Sequence, residues 1–241
     1  MTGFPERLAR VRENIAQAAA RCGRSPDKIT LVAATKTQTD DTIRQAIAAG
    51  ITVCGENRVQ EFTAHLAAGA YQGASVHFIG HLQTNKVKYI VGKVELIHSV
   101  SSEKLLLAID RQAEKLDLVQ DILLELNLAG EVSKSGLSVP QALPAARLAA
   151  ELAHVRLRGL MCIPPPAAGP GKNLPYFEKL AQIAVDIRNE MGDNRADVVC
   201  LSMGMSDDYQ DAVSAGATHV RLGTALFGPR PPVPINFGRE F

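Results

Sequence analysis

Short apolar and β-branched runs alternate along the chain with longer stretches in which apolar positions recur every three or four residues. The runs predict strands near 29–35, 51–54, 75–79, 94–98, 118–127, 155–162, 197–201 and 218–222. The intervening segments 39–49, 57–68, 84–91, 102–116, 140–153, 173–191 and 206–215 carry helical spacing, and a further helix is predicted over 4–22, ahead of the first strand. Alternation of this kind implies a parallel sheet with right-handed crossovers. Eight such units in 241 residues match a single α/β domain, 1–241, built as a (β/α)8 TIM barrel with an extra N-terminal helix. A doubly wound open sheet fits less well. Its phosphate loop would carry GxGxxG after the first strand, where Ala33-Ala34-Thr35-Lys36 stands instead.

A barrel places its chemistry at the C-terminal ends of its strands, so the residues that follow each run are the candidates. Lys36 closes the first. A charged amine delivered by a buried strand is costly unless it is paired or used, which makes Lys36 a candidate nucleophile that forms a Schiff base with a carbonyl compound. A lysine reaching solvent is the plainer alternative. After strands seven and eight, Ser202-Met203-Gly204-Met205-Ser206 and Gly223-Thr224 each lead into a helix. Small residues let a phosphate approach the backbone, and helix N-terminal N–H groups supply donors, although Ser206 and Thr224 could instead simply cap their helices. Arg221, set in an apolar strand, needs a partner, either a ligand or a buried carboxylate such as Glu56 or Glu125. Asn57 could meet a ligand or cap the helix after it. His81 lies on the same rim, and the spacing of His77 and His81 suits no metal. A Schiff-base lysine facing a phosphate cradle suggests a phosphorylated aldehyde, for which pyridoxal 5′-phosphate is suited. A sugar-phosphate aldolase would share these parts but also want carboxylates beside the lysine.

Bulk properties narrow the partners. With 26 basic and 25 acidic side chains the net charge is +1, which gives no reason to expect nucleic acid or an anionic membrane surface. No apolar run approaches a membrane span, and the first residues lack the apolar core of a signal peptide. Cys22, Cys54, Cys162 and Cys200 are widely spaced, with no metal-ligand pattern, and point to a reducing, cytoplasmic setting.

The segment His77-Phe78-Ile79-Gly80-His81-Leu82-Gln83-Thr84-Asn85-Lys86-Val87-Lys88-Tyr89-Ile90 resembles the signature of the YggS/PROSC family of pyridoxal-phosphate-binding proteins. Val32 through Thr37, Gly55 through Glu61, Met205 through Tyr209 and Val220 through Gly228 resemble its other blocks. The resemblance implies a fold-type III barrel like the N-terminal part of alanine racemase. In it Lys36 would hold the cofactor as a Schiff base, Ser206, Gly223 and Thr224 would grip its phosphate, Arg221 would face the pyridine nitrogen, and Asn57 and Met203 would flank the ring. Such an arginine disfavours protonation of the nitrogen and weakens the ring as an electron sink. Lys134, in Lys134-Ser135-Gly136, would approach an entering phosphate. Gln38 departs from the family, many members of which carry a second lysine there.

Racemisation needs bases on both faces of the substrate. The sequence ends soon after its eighth strand, without the racemase's second domain, and its tyrosines fall on predicted helices. The expectation is a monomeric, non-catalytic protein of intracellular pyridoxal phosphate homeostasis, binding the cofactor and related B6 vitamers and meeting apoenzymes transiently. A small amino-acid racemase is the alternative.

Overall fold

The computed structural model describes residues 3–131, 135–192 and 198–229. Its strands are β1 (Thr30–Ala34), β2 (Val53–Glu56), β3 (Ser75–Phe78), β4 (Leu96–Val100), β5 (Gln120–Leu126), β6 (Val155–Cys162), β7 (Cys200–Ser202) and β8 (His219–Leu222). Each pairs in parallel with the next, and β8 pairs with β1, closing the barrel. The helices are α1 (Phe4–Arg21), α2 (Asp40–Ala48), α3 (Val59–Ala67), α4 (Glu103–Lys115), α5 (Val139–Glu151), α6 (Leu174–Met191), α7 (Tyr209–Ser214) and α8 (Thr224–Phe227). The expected barrel with an extra N-terminal helix is therefore the observed one, and the open-sheet alternative is excluded.

Three local expectations are corrected. Segment 84–91 is a short 3-10 helix, Thr84–Tyr89, rather than an α-helix. Ser99 and the pair Gly55-Glu56, expected to follow strands four and two, lie within β4 and β2, because pairing with neighbouring strands carries both strands past their apolar runs. The first strand, in turn, stops at Ala34, so Lys36 stands two residues beyond it. Most of the proline-rich segment after Gly228 lies outside the described residues.

Strand alternation divides the core into two layers. Ala33, Cys54, Phe78 and Ile97 face outward into the main core with Leu106, Phe177 and Leu180 of the helices. On β1, Val32 and Ala34 face the other way and meet Val53 and Ile79, while Leu96, Leu123 and Met161 form a further inner group. Helix α1 repeats Leu8, Val11, Ile15 and Ala18 on one buried stripe. It covers the seam beside β8, where Arg7 Nε donates to Leu226 O at 2.6 Å and the Phe4 and Phe227 rings meet at a tilt, centroids 5.3 Å apart.

Inside the barrel, a column of polar side chains stands among the branched apolar filling. Arg221 donates to Ser202 Oγ at 2.6 Å and to Cys162 O at 2.9 Å. Ser202 Oγ therefore turns its own hydrogen to His98 Nδ1, 2.7 Å away. His98 then carries its proton on Nε2 and donates to His77 Nδ1 at 2.9 Å. His219 packs edgewise on His98, with ring centroids 5.8 Å apart. Burial keeps these rings neutral, lowering His77 to about 4 and His219 to about 3. It also pushes His98 well below the ordinary range, with His77, His219 and Arg221 adding to the effect.

The sign of the pH dependence follows. Below about 6.5 the unfolded chain binds protons that the fold refuses, so stability is lost as pH falls. A histidine lowered from 6.5 to about 4 costs roughly 3 kcal/mol by the time pH reaches 4. Glu56 and Glu125, raised by burial, oppose this in part, because the folded state keeps carboxyl protons that the unfolded chain releases. Urea midpoints should decline steadily between pH 7 and 4, whereas a level midpoint across that window contradicts a neutral column.

Candidate functional site

Lys36 is half-buried, on a turn closed by Gln38 N–H donating to Thr35 O at 3.0 Å. The next residue, Thr37, has φ 65, a left-handed conformation uncommon for a β-branched side chain, and its N–H donates to Glu61 Oε2 at 3.0 Å. Such strained positions concentrate at functional sites. Behind the turn, the Thr35 hydroxyl donates to Glu56 Oε1, which also accepts from Tyr71 Oη at 2.9 Å. Glu56 is fully buried, and its burial raises the carboxyl above the ordinary range, against the two hydrogen bonds. This cluster anchors Thr35, and with it the position of its neighbour Lys36.

Lys36, Thr37 and Gln38 share one pocket with Gly223, Thr224, Phe227 and Gly228. The fold thus joins the β1 end to the β8 loop, as β1–β8 pairing requires. Ser206 belongs to the same construction, but not as the helix cap allowed by the sequence. Helix α7 begins three residues later, with Asp208 at its N-cap. Ser206 Oγ instead accepts from Ala225 N–H at 3.1 Å, tying the β7 loop to the first turn of α8. Asp208 holds the β7 loop from the other side, accepting from Met205 N–H and from Asn173 Nδ2, both at 2.7 Å. Gly204, at φ +89, has no room for a side chain, since a Cβ would stand 2.5 Å from Ala212 Cβ.

Arg221 is buried, 4% exposed, below the mouth. Of the partners proposed for it, Glu56 lies in the outer layer with Tyr71, while Glu125 is near enough for its charge to be felt but is not the group that accepts its bonds. Asn57 caps nothing, because Arg58 occupies the N-cap of α3. Its Oδ1 is buried without a hydrogen-bond partner. It lines a cavity of about 250 Å³ at the mouth with Ile79, His81 and Glu125. Met203 is fully buried in the outer core and lines neither cavity. Gln38 stands beside Lys36 in its pocket, and Lys134 lies outside the described residues.

Two groups escaped the sequence reading. One is the Glu56–Thr35–Tyr71 cluster, whose members are far apart in sequence. The other is the inner column of His98 and His219. A polar residue breaking an apolar strand, as in Leu96-Ile97-His98-Ser99-Val100, was the available signal.

The family model for the alanine racemase N-terminal domain matches residues 7–231. A protein of Aquifex aeolicus (strain VF5) named pyridoxal phosphate homeostasis protein is 43% identical, covering 93% of this chain and 97% of the relative. An Escherichia coli (strain K12) protein of the same name is 37% identical, covering 95% of this chain and 98% of its own. Among solved structures, PipY of Synechococcus elongatus PCC7942 with PLP bound superposes with a TM-score of 0.81 at 32% identity, over 93% of this chain and all of PipY. An alanine racemase of Clostridium difficile 630, 14% identical, shares the fold with a TM-score of 0.69, and the match spans 57% of its length.

Proposed function

Because this chain belongs to the alanine racemase N-terminal domain family, alongside the pyridoxal phosphate homeostasis proteins, we propose that it binds pyridoxal 5′-phosphate as a carrier rather than as a catalyst. The observation that carries the reading is the shared pocket of Lys36 and the Gly223–Thr224 backbone, braced by Ser206. The residues fit the cofactor: an amine, small backbone positions on the facing wall, and the orphaned Asn57 Oδ1 nearby on the rim. When bound, the cofactor supplies an aldehyde carbon able to condense with a lysine amine. Lys36 provides that amine, and its neighbour Thr35 is fixed by Glu56. Ser206, Gly223 and Thr224 receive the phosphate, with Met203 supporting the β7 loop from the core. Arg221, charged and held by Ser202 and Cys162, would disfavour protonation of a ring nitrogen bound beside it.

Carriage without turnover is supported by the commitments of the buried tyrosines. Tyr71 Oη serves Glu56 and Tyr209 Oη accepts from Asn14 at 2.8 Å, so neither is available as a base at the mouth. We place the protein in the cytoplasm as a monomer that meets apoenzymes and B6 vitamers. The test is incubation with single L-amino acids in deuterated water. Stoichiometric cofactor with negligible α-deuteration supports a carrier, and rapid exchange into one amino acid establishes an enzyme instead.

A further inference from the structure

The mouth of the barrel has two chemically unlike halves. Over β8 and β1 stand Lys36 and the small residues of the phosphate side. Over the ends of β2, β3, β5 and β6 lies the separate cavity of about 250 Å³. Two oxygens of residues lining it, Glu125 Oε2 and Asn57 Oδ1, are buried without a hydrogen-bond partner. Glu125 is only 6% exposed, and it sits at an inward-facing position of β5 between the outward-facing Leu124 and Leu126. Leaving such a group unpaired costs about 1–3 kcal/mol, and more when it is charged. Arg221 does not relieve it, since Nη1 and Nη2 donate to Ser202 and Cys162.

Two orphaned acceptors, one of them a carboxylate, call for a donor-rich cation. The cavity wall adds Ile79 and Ile163, which suit a short alkyl chain. We infer that this half of the mouth is a subsite for a small primary ammonium, its N–H groups on Glu125 Oε2 and Asn57 Oδ1. The inference deepens the proposed function and takes its purpose from it, because a primary amine is the class of compound that exchanges with a lysine for a carried aldehyde. An amine docked there occupies the same end of the barrel as Lys36, over neighbouring strands. Its binding does not depend on the cofactor.

The test uses full-length protein freed of cofactor, labelled with ¹³C at glutamate carboxyl groups and held near pH 8, where a carboxyl raised by burial is better ionised. Ethylammonium should move one resonance saturably, and the resonance should be missing in Glu125→Gln. The variant should bind ethylammonium at least about tenfold more weakly, the loss of one charge-assisted bond. Tetramethylammonium, which has no N–H donor, should leave the resonance in place. A cavity that holds only water gives no saturable shift, and equal shifts with both cations indicate charge screening; either result overturns the subsite. Tighter binding of L-alanine than of ethylammonium also overturns it, since the pocket would then read a carboxylate. Cofactor uptake by wild type and Glu125→Gln is followed separately by absorbance. Failure of uptake with an intact ammonium response would count against the carrier reading alone.

Discussion

Lys36→Ala is expected to abolish covalent capture of pyridoxal phosphate. After hydride reduction, peptide mass spectrometry of the wild type should place one adduct on Lys36, and the variant should show none. The neighbouring side chain cannot substitute, because Gln38, which lines the same pocket, ends in an amide rather than an amine. Reversible binding through the phosphate side should persist, weakened by at least tenfold, or about 1.4 kcal/mol. The Glu56 cluster holds the neighbouring residue through the Thr35 hydroxyl, which the variant keeps, so the variant should remain folded. An adduct on another lysine in the wild type would remove the basis of the proposed function.

The second large effect is structural. In Gly80→Ala the new Cβ would stand 2.0 Å from Asn57 O and 2.5 Å from Asn57 Cα, against backbone that cannot swing aside. Ser99 Oγ donates to Gly80 O at 2.5 Å and holds the same residue from β4. Overpacking of this severity is expected to cost about 3 kcal/mol or more. In a domain of this size that lowers the melting temperature by roughly 6–12 °C. The displaced backbone carries Asn57, so cofactor uptake should fall together with stability. A Gly80→Ala protein that melts with the wild type would show that the β2 and β3 loops have more freedom than their contact implies.

The barrel was legible because each strand is built on a short, mainly apolar run and the longer helices show a buried stripe, so period separates the elements. Lys36, Gly223 and Thr224 were legible for a related reason: strand order fixes which loops share a rim. Ser206 stands in the loop expected to grip the phosphate, and only the capping alternative is removed by the structure. Its hydroxyl could satisfy either its own helix or a neighbouring one, and only the three-residue delay of α7 decides. The orphaned oxygens of Glu125 and Asn57 were not readable at all. A sequence shows that a polar group is buried, but not whether the fold provides it with a donor. Met203 illustrates the opposite limit, since its loop position suggested the mouth while the alternation of β7 turned it to the core.

The clasp between Arg7 of α1 and the carbonyls of Leu226 and Phe227 has a consequence for biosynthesis. The wall opposite Lys36 is assembled from the last described helix and steadied by the first, so the lysine emerges from the ribosome some 190 residues before its counterpart. A growing polypeptide therefore carries Lys36 long before the residues that share its pocket, and that pocket closes only once β8 and α8 have been made.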